Sequence, residues 1–153
     1  MRIHASCVAR RGRAVLLRGP SGSGKSDLAL RFLDAYPDAW LIADDQVELS
    51  ARDGRLFAAA SRVLRGLIEV RGLGLARRPV PADAGAWPIR LCVDLGDTAA
   101  PPRIAEPRTE TLSGIDLPVL PMAAFEMSAP AKLALALETI AVSGFPGEDG
   151  LLS

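Results

Sequence analysis

Cysteine and histidine are almost missing from this chain, which has two cysteines, Cys7 and Cys92, and a single histidine, His4, in 153 residues. The cysteines lie far apart, with no C-x-x-C or Cys/His spacing around them. A disulfide framework and a zinc site are therefore excluded, and two buried free thiols are expected. Aromatic residues make up 5% of the chain, and Trp40, Trp87, Met122 and Met127 read as core or edge packing rather than as a binding box. Net charge is also missing: 18 basic residues balance 18 acidic ones, which leaves no overall positive field to hold a nucleic acid or an anionic membrane. No apolar run approaches the ~20 residues of a membrane span, and the opening MRIHASCVARRGR lacks the core of a secretory signal, so a cytoplasmic protein is expected.

What is present suits one globular domain. Apolar residues form 49% of the chain and charged residues 24%, and a chain of this length buries roughly two-thirds of its unfolded surface. Residues 1–153 read as a single domain without internal repeats, with residues 144–153 as a fraying, turn-rich tail. Arginines gather at Arg10, Arg11 and Arg13 and again at Arg71, Arg77 and Arg78. Such groups either hold phosphate or an acidic partner or stay solvated, the latter being the default.

Residues 3–9 and 13–18 read as two strands turning at Gly12, and the continuous apolar run Ala14-Val15-Leu16-Leu17 fits a strand covered on both faces. Residues 25–36 carry Leu28, Leu30, Phe32 and Leu33 among good helix formers, with Pro37 ending the pattern. Residues 40–43 form another apolar strand, and residues 47–49 and 55–58 flank Asp53-Gly54, a dipeptide suited to a type I′ hairpin turn. Residues 67–70, 89–94 and 115–120 are further strands. The segment between the first two reads as loops with one helical turn, residues 99–107 as an exposed connection, and residues 131–142 as a strand or a helix. The expected fold is α/β, a mixed sheet of P-loop kinase type built around a strand, loop and helix unit.

That loop is Gly19-Pro20-Ser21-Gly22-Ser23-Gly24-Lys25-Ser26, a full match to G-x-x-x-x-G-K-[ST] between an apolar strand and a helix. Its glycines let successive N–H groups converge on phosphate oxygens, and the helix N-terminus adds partial positive charge. Lys25 is then placed to neutralise the β- and γ-phosphates of ATP, and the Ser26 hydroxyl to ligate Mg²⁺.

A phosphate loop does not name a reaction, so the acids must be read as well. Asp44 and Asp45 follow an apolar strand, which delivers them to the carboxyl edge of an open α/β sheet beside the loop. One serves the metal and the other the nucleophile, or one caps the next element and the other is a solvated turn residue. Glu69 interrupts Leu67-Ile68-Glu69-Val70 and is either a Mg²⁺ ligand or an outward-facing partner of Arg71.

Together these residues resemble a known family, HPr kinase/phosphorylase, in a short form of its catalytic, C-terminal domain without the N-terminal domain. The resemblance rests on His4 in Ile3-His4-Ala5, the loop with Ser26-Asp27, Leu41-Ile42-Ala43-Asp44-Asp45-Gln46-Val47, and Ile68-Glu69-Val70-Arg71-Gly72-Leu73-Gly74-Leu75. It is best over residues 1–75. It implies an ATP- and Mg²⁺-dependent protein serine kinase, and a phosphorylase in reverse, acting on the phosphocarrier HPr or a paralogue and regulating the phosphotransferase system. It further implies Asp44 as general base, Asp45 beside it near the metal, Glu69 helping to hold Mg²⁺, His4 near the reacting group, and a homo-oligomer, a hexamer. Where the family carries an arginine in a P-x-R-x-G-R-N loop, this sequence reads Ala129-Pro130-Ala131-Lys132-Leu133-Ala134, with Lys132 as the only cation. The rival readings are a small-molecule kinase or NTPase using the same loop, and a non-catalytic nucleotide sensor.

Overall fold

The computed structural model describes residues 1–96 and 101–153. Its strands are β1 (Arg2–His4), β2 (Ser6–Arg10), β3 (Arg13–Arg18), β4 (Ala39–Ala43), β5 (Gln46–Arg52), β6 (Arg55–Ala59), β7 (Leu67–Val70), β8 (Gly74–Arg77), β9 (Ile89–Asp94), β10 (Thr109–Leu112) and β11 (Ile115–Pro121). The helices are α1 (Lys25–Ala35), α2 (Ala129–Glu138) and α3 (Ile140–Ser143), with one 3-10 turn at Ala84–Ala86. The main sheet has six strands in the order β10-β11-β9-β3-β2-β4, and it is mixed, as expected. Strands β3, β9 and β11 are mutually parallel, while β2 runs antiparallel to both β3 and β4. Strands β1, β5 and β6 form a second, antiparallel sheet, and β7 with β8 a separate ribbon.

The apolar run of β3 works as the sequence suggests. Val15 and Leu17 face one core with Leu28 and Phe32 of α1, Leu133 and Leu137 of α2, and Leu91 and Val93 of β9. Ala14 and Leu16 face the other, with Val47, Leu49 and Leu56 of the second sheet and both cysteines. Alternation along a strand sends neighbours to opposite faces, so an unbroken apolar run is the signature of a sheet covered twice. Both thiols are buried and free. Desolvation pushes Cys92 up to about 12 and raises Cys7 further, so neither is a nucleophile at neutral pH.

The turn Asp53-Gly54 has positive φ at both residues, 51° and 72°, as a type I′ hairpin requires. Residues 131–142 resolve to helix, in α2 and α3. Three expectations are corrected. The strand placed at residues 3–9 is two strands in two different sheets, parted at Ala5, whose N–H donates to Asp45 O at 3.2 Å. Strand β8 falls where only loops were expected. Met127 is 99% exposed and packs in no core, whereas Met122 is buried. Of the connection expected at residues 99–107, residues 99 and 100 lie outside the described residues, and the remainder forms no strand or helix. The tail after Ser143 has no regular element, although Phe145 packs against the larger core.

Arg10 and Arg11 are both engaged with carboxylates of the chain, Arg10 largely buried and Arg11 still open to solvent. Arg10 Nε donates to Asp38 Oδ1 at 2.8 Å, and Arg10 Nη1 and Arg11 Nη1 both reach Glu138 Oε1 at 2.7 Å, tying β2 to the entry of β4 and the end of α2. The hydrogen bond from Arg10 holds the Asp38 carboxyl below its ordinary range. A depressed acid contributes stability that is present above the unfolded-state value and is lost as pH falls through the folded-state one. The parent protein should therefore lose stability to urea below about pH 4 more steeply than Asp38→Asn does, a difference read from paired denaturation curves between neutral and acid pH.

Candidate active site

The strand directions place the chemistry on one edge. Because β2 is antiparallel to both β3 and β4, those two run the same way, with α1 crossing over β2 between them. The carboxyl ends of β3, β4, β9 and β11 thus meet at one edge, where loops of open α/β sheets collect ligands. The glycine-rich loop leaves β3, Asp44 and Asp45 leave β4, Gly96 follows β9, and Phe125 follows β11.

The loop is held tightly from beneath. A Cβ on Gly19 would lie 2.6 Å from the Leu95 carbonyl oxygen, and one on Gly24 (φ 96°) would lie 2.9 Å from the Ala124 Cβ, so neither position has room for a side chain. Arg18 anchors its base: Nε donates to Asp94 Oδ1 at 2.9 Å and Nη1 to Glu110. Burial works against the Arg18 charge, but these hydrogen bonds outweigh it and hold the guanidinium above its ordinary value. Lys25 Nζ lies across the loop, donating to the carbonyls of Gly19 at 2.6 Å and Pro20 at 3.1 Å. α1 has no side-chain cap, and among the described residues no acceptor meets the amides of Gly24, Lys25, Ser26 and Asp27. Four convergent free donors at a helix N-terminus make an anion cradle.

The two acids have different surroundings. Asp44 is buried, 5% exposed, and satisfied: its Oδ1 accepts from Ser6 Oγ at 2.6 Å and Ser26 Oγ at 2.7 Å, and its Oδ2 from the Glu69 amide at 3.1 Å. Asp45 has a left-handed backbone (φ 67°), which turns its side chain away from that of Asp44 into the open. It remains 66% exposed, with its Oδ1 3.9 Å from His4 Nδ1. Asp45, Glu69, Val70, Arg71, Leu30 and Phe125 line one cavity of about 320 Å³ with Ser21, Gly22, Gly24, Lys25, Ser26 and Asp27 of the loop and helix start.

Gly19, Pro20 and Ser23 of the loop do not line this cavity. Ser23 is 6% exposed, and its Oγ has no partner among the described residues. A larger concavity of about 610 Å³, between residues 101–108, α2 and the tail, includes none of the expected site residues.

The segment expected to carry a late cation is not a loop. Residues 129–134 are the start of α2, and Lys132 Nζ is bound to Glu126 Oε2 at 2.7 Å on that larger concavity. The cation that does line the active-site cavity beside Lys25 is Arg71, which makes no ion pair among the described residues. Of the alternatives left open for Glu69, the pair with Arg71 does not form among the described residues; Glu69 is exposed and lines the cavity. Sequence reasoning missed Ser6 and Phe125. A serine opening the apolar run Cys7-Val8-Ala9 was a signal for the first, whereas Phe125 could be found only from the strand order. Arg31 fixes Phe125 in place by donating to the carbonyls of Ala124 and Glu126 while it pairs with Asp27.

Residues 1–77 match the family described as HPr Serine kinase C-terminal domain. The chain belongs to this family. Among curated relatives, the HPr kinase/phosphorylase of Clostridium tetani is 37% identical over 78 residues, 51% of this chain and 25% of the relative. That of Limosilactobacillus reuteri is 42% identical over 74 residues, 48% of this chain and 22% of the relative. The chain thus spans about a quarter of the length of the curated relatives it matches. The structure of the Hpr(Ser) kinase/phosphatase from Coxiella burnetii superposes with a TM-score of 0.73 at 23% identity, covering 90% of this chain and 94% of that one. At that identity it shows the fold, and shows it well beyond the family match. No helix among the described residues is long and apolar enough to cross a membrane.

The family uses ATP and Mg²⁺, and the residues present fit both. Among the described residues no three His, Cys, Asp or Glu side chains form an all-protein metal cage. Mg²⁺ does not require one, since it is commonly held by one or two oxygen ligands together with substrate phosphates. The Ser26 proton is committed to Asp44, so its lone pairs are free to face a cation. Gly22 (φ 82°) lines the cavity with nothing within 4 Å of where a Cβ would sit, which leaves that space for a phosphate group.

Proposed function

We propose that this chain is an ATP- and Mg²⁺-dependent protein serine kinase acting on HPr or a similar phosphocarrier, with Asp45 rather than Asp44 taking the proton of the acceptor hydroxyl. The observation that carries this reading is the contrast between the two acids. A general base must reach the proton it removes. Asp44 is walled in by Ser6, Ser26 and the Glu69 amide, whereas Asp45 stands in the cavity with open access to an incoming hydroxyl. This reading exchanges the roles first expected from the family resemblance.

In this reading the amides of the loop and Lys25 hold the β- and γ-phosphates, and Arg71, which lines the same cavity, faces the transferred group. His4 steers the Asp45 carboxylate. Ser26, oriented by Asp44, and Glu69 hold the Mg²⁺, which supplies neutralisation of phosphate charge. Phosphoryl transfer asks little covalent chemistry of the protein, so a base, a metal site and a phosphate cradle suffice. The same Asp45 carboxyl returns the proton if inorganic phosphate attacks phosphoserine in the reverse direction. Action on a phosphocarrier places the protein in the cytoplasm.

The test is incubation with γ-labelled ATP, Mg²⁺ and purified HPr. Label on one HPr serine is the expected result. Label released only as inorganic phosphate, or found on a small molecule, assigns the chain to the NTPase or metabolite-kinase class, and nucleotide binding without turnover assigns it to the sensors.

A further inference from the structure

Arg77 and Arg78 of the second arginine group have no part in the chemistry above, and the fold brings them together with two further arginines in one place. Arg62 and Arg65 come from the turn before β7, and Arg77 and Arg78 from the end of β8. With Gly66, Pro79 and Val80 they line a concavity of about 560 Å³ that contains no acidic side chain. The backbone fixes this convergence. The Arg78 amide donates to Gly66 O at 2.7 Å and Leu67 pairs with Arg77, so the two arginine-bearing segments are held side by side.

Four guanidiniums facing one space repel each other unless anions answer them. Arg2, Arg10, Arg11, Arg18, Arg31 and Arg108 each pair with a carboxylate. Among the described residues none of the four around this concavity does. Arg78 adds a second, independent sign, since its Nε is buried without a hydrogen-bond partner among the described residues. A buried donor left unpaired costs free energy, and a guanidinium fork is shaped to meet the two oxygens of a phosphate or carboxylate.

We propose that this concavity is an anion site for a small molecule bearing two or more phosphate or carboxylate groups. Its size is that of a ligand pocket rather than of a single-ion site, and Pro79 and Val80 add apolar surface to its lining. It lies at the opposite end of the β7–β8 ribbon from Glu69, Val70 and Arg71, roughly 10 Å away along the strands, so it is separate from the candidate active site.

Isothermal titration with tripolyphosphate and with citrate, at low and at moderate salt, tests the proposal. The comparison uses the parent, Lys25→Ala and the double variant Arg65→Gln/Arg77→Gln. Lys25→Ala removes the competing phosphate loop and should retain a salt-sensitive binding event. The double variant, made in the Lys25→Ala background, should weaken that event by about tenfold or more. Preference for tripolyphosphate or for citrate assigns the phosphate or the carboxylate source. Loss of all binding in Lys25→Ala, or equal affinity with and without Arg65 and Arg77, overturns the site. Tighter binding of an oligoglutamate peptide than of either small anion overturns it in favour of an acidic protein surface. All three side chains at Arg62, Arg65 and Arg77 are exposed. If the double variant does not fold, Arg62→Gln/Arg65→Gln makes the same comparison.

Discussion

Asp45→Asn is expected to lower the rate of phosphoryl transfer by about 10²–10⁴-fold, the usual worth of a positioned general base, while leaving nucleotide affinity within a few-fold. The amide keeps the size of the side chain but has no lone pair basic enough to accept the acceptor's proton. Binding is spared because, among the described residues, Asp45 makes no ion pair with Lys25 of the glycine-rich loop; the side chain it pairs with is His4, whose Nδ1 lies 3.9 Å away. Asp44→Asn should behave differently. One of its two side-chain oxygens becomes an NH₂ facing either the Ser6 and Ser26 hydroxyls or the Glu69 amide, and an N–H donor opposite that amide leaves a buried group unpaired.

Asp44→Asn therefore weakens Mg²⁺-dependent nucleotide binding and lowers the melting temperature, two readouts that Asp45→Asn leaves almost unchanged. Rates, nucleotide affinity and melting temperature measured on the two variants separate the assignments. Full activity in Asp45→Asn with a rate loss confined to Asp44→Asn would return the base to Asp44. Arg71 gives an internal check, because Arg71→Lys keeps the charge but loses the planar fork and should slow transfer more than it weakens binding.

Why Asp44-Asp45 could not be resolved from sequence is physically instructive. Adjacent residues after a strand normally point to opposite sides, but which one points inward depends on the backbone of the second. Asp45 adopts a left-handed conformation that only Gly, Asn and Asp take readily, and nothing in the local pattern announces it. The strand, loop and helix unit at residues 13–35 was legible because an apolar strand, a run of glycines and a helical pattern follow one another within one short segment. The hairpin at Asp53-Gly54 was legible because its turn demands those residue types.

Strands β8 and β10 were not legible. Each is a short edge strand with an exposed or half-exposed pattern, so neither carries the alternation that burial writes into a sequence. The region 131–142 was ambiguous for the opposite reason: alanine and leucine fill both faces of α2, and the helical period is blurred. Phe125 and Arg71 reach the site through strand order and ribbon pairing, which are long-range facts. The gathering of Arg62 and Arg65 with Arg77 and Arg78 is of the same kind, joining one cluster seen in sequence to two residues that looked unrelated to it.

Phe32→Ala is expected to cost about 3–5 kcal/mol of stability, because it deletes a large, fully buried side chain from a core that cannot close around the void. For a domain of this size that corresponds to a fall in melting temperature of about 6–20 °C, measurable by calorimetry or circular dichroism. The loss should be felt at the site as well. α1 has no side-chain cap at its N-terminus and is held by Leu28, Ala29, Phe32 and Leu33 on one buried face, with Phe32 against Tyr36 at a ring separation of 5.1 Å. Its free N-terminal amides are the proposed phosphate cradle, so the packing that keeps the helix in place also keeps those donors aimed. A nucleotide bound there caps the helix from outside, and saturating nucleotide at about 100 times its dissociation constant should restore about 2.7 kcal/mol to the variant as to the parent. Equal stability of parent and variant would mean that α1 is held by something other than this face. A variant stabilised by nucleotide much less than the parent would mean that Phe32 also holds the cradle open, which makes ligand-dependent melting the decisive measurement.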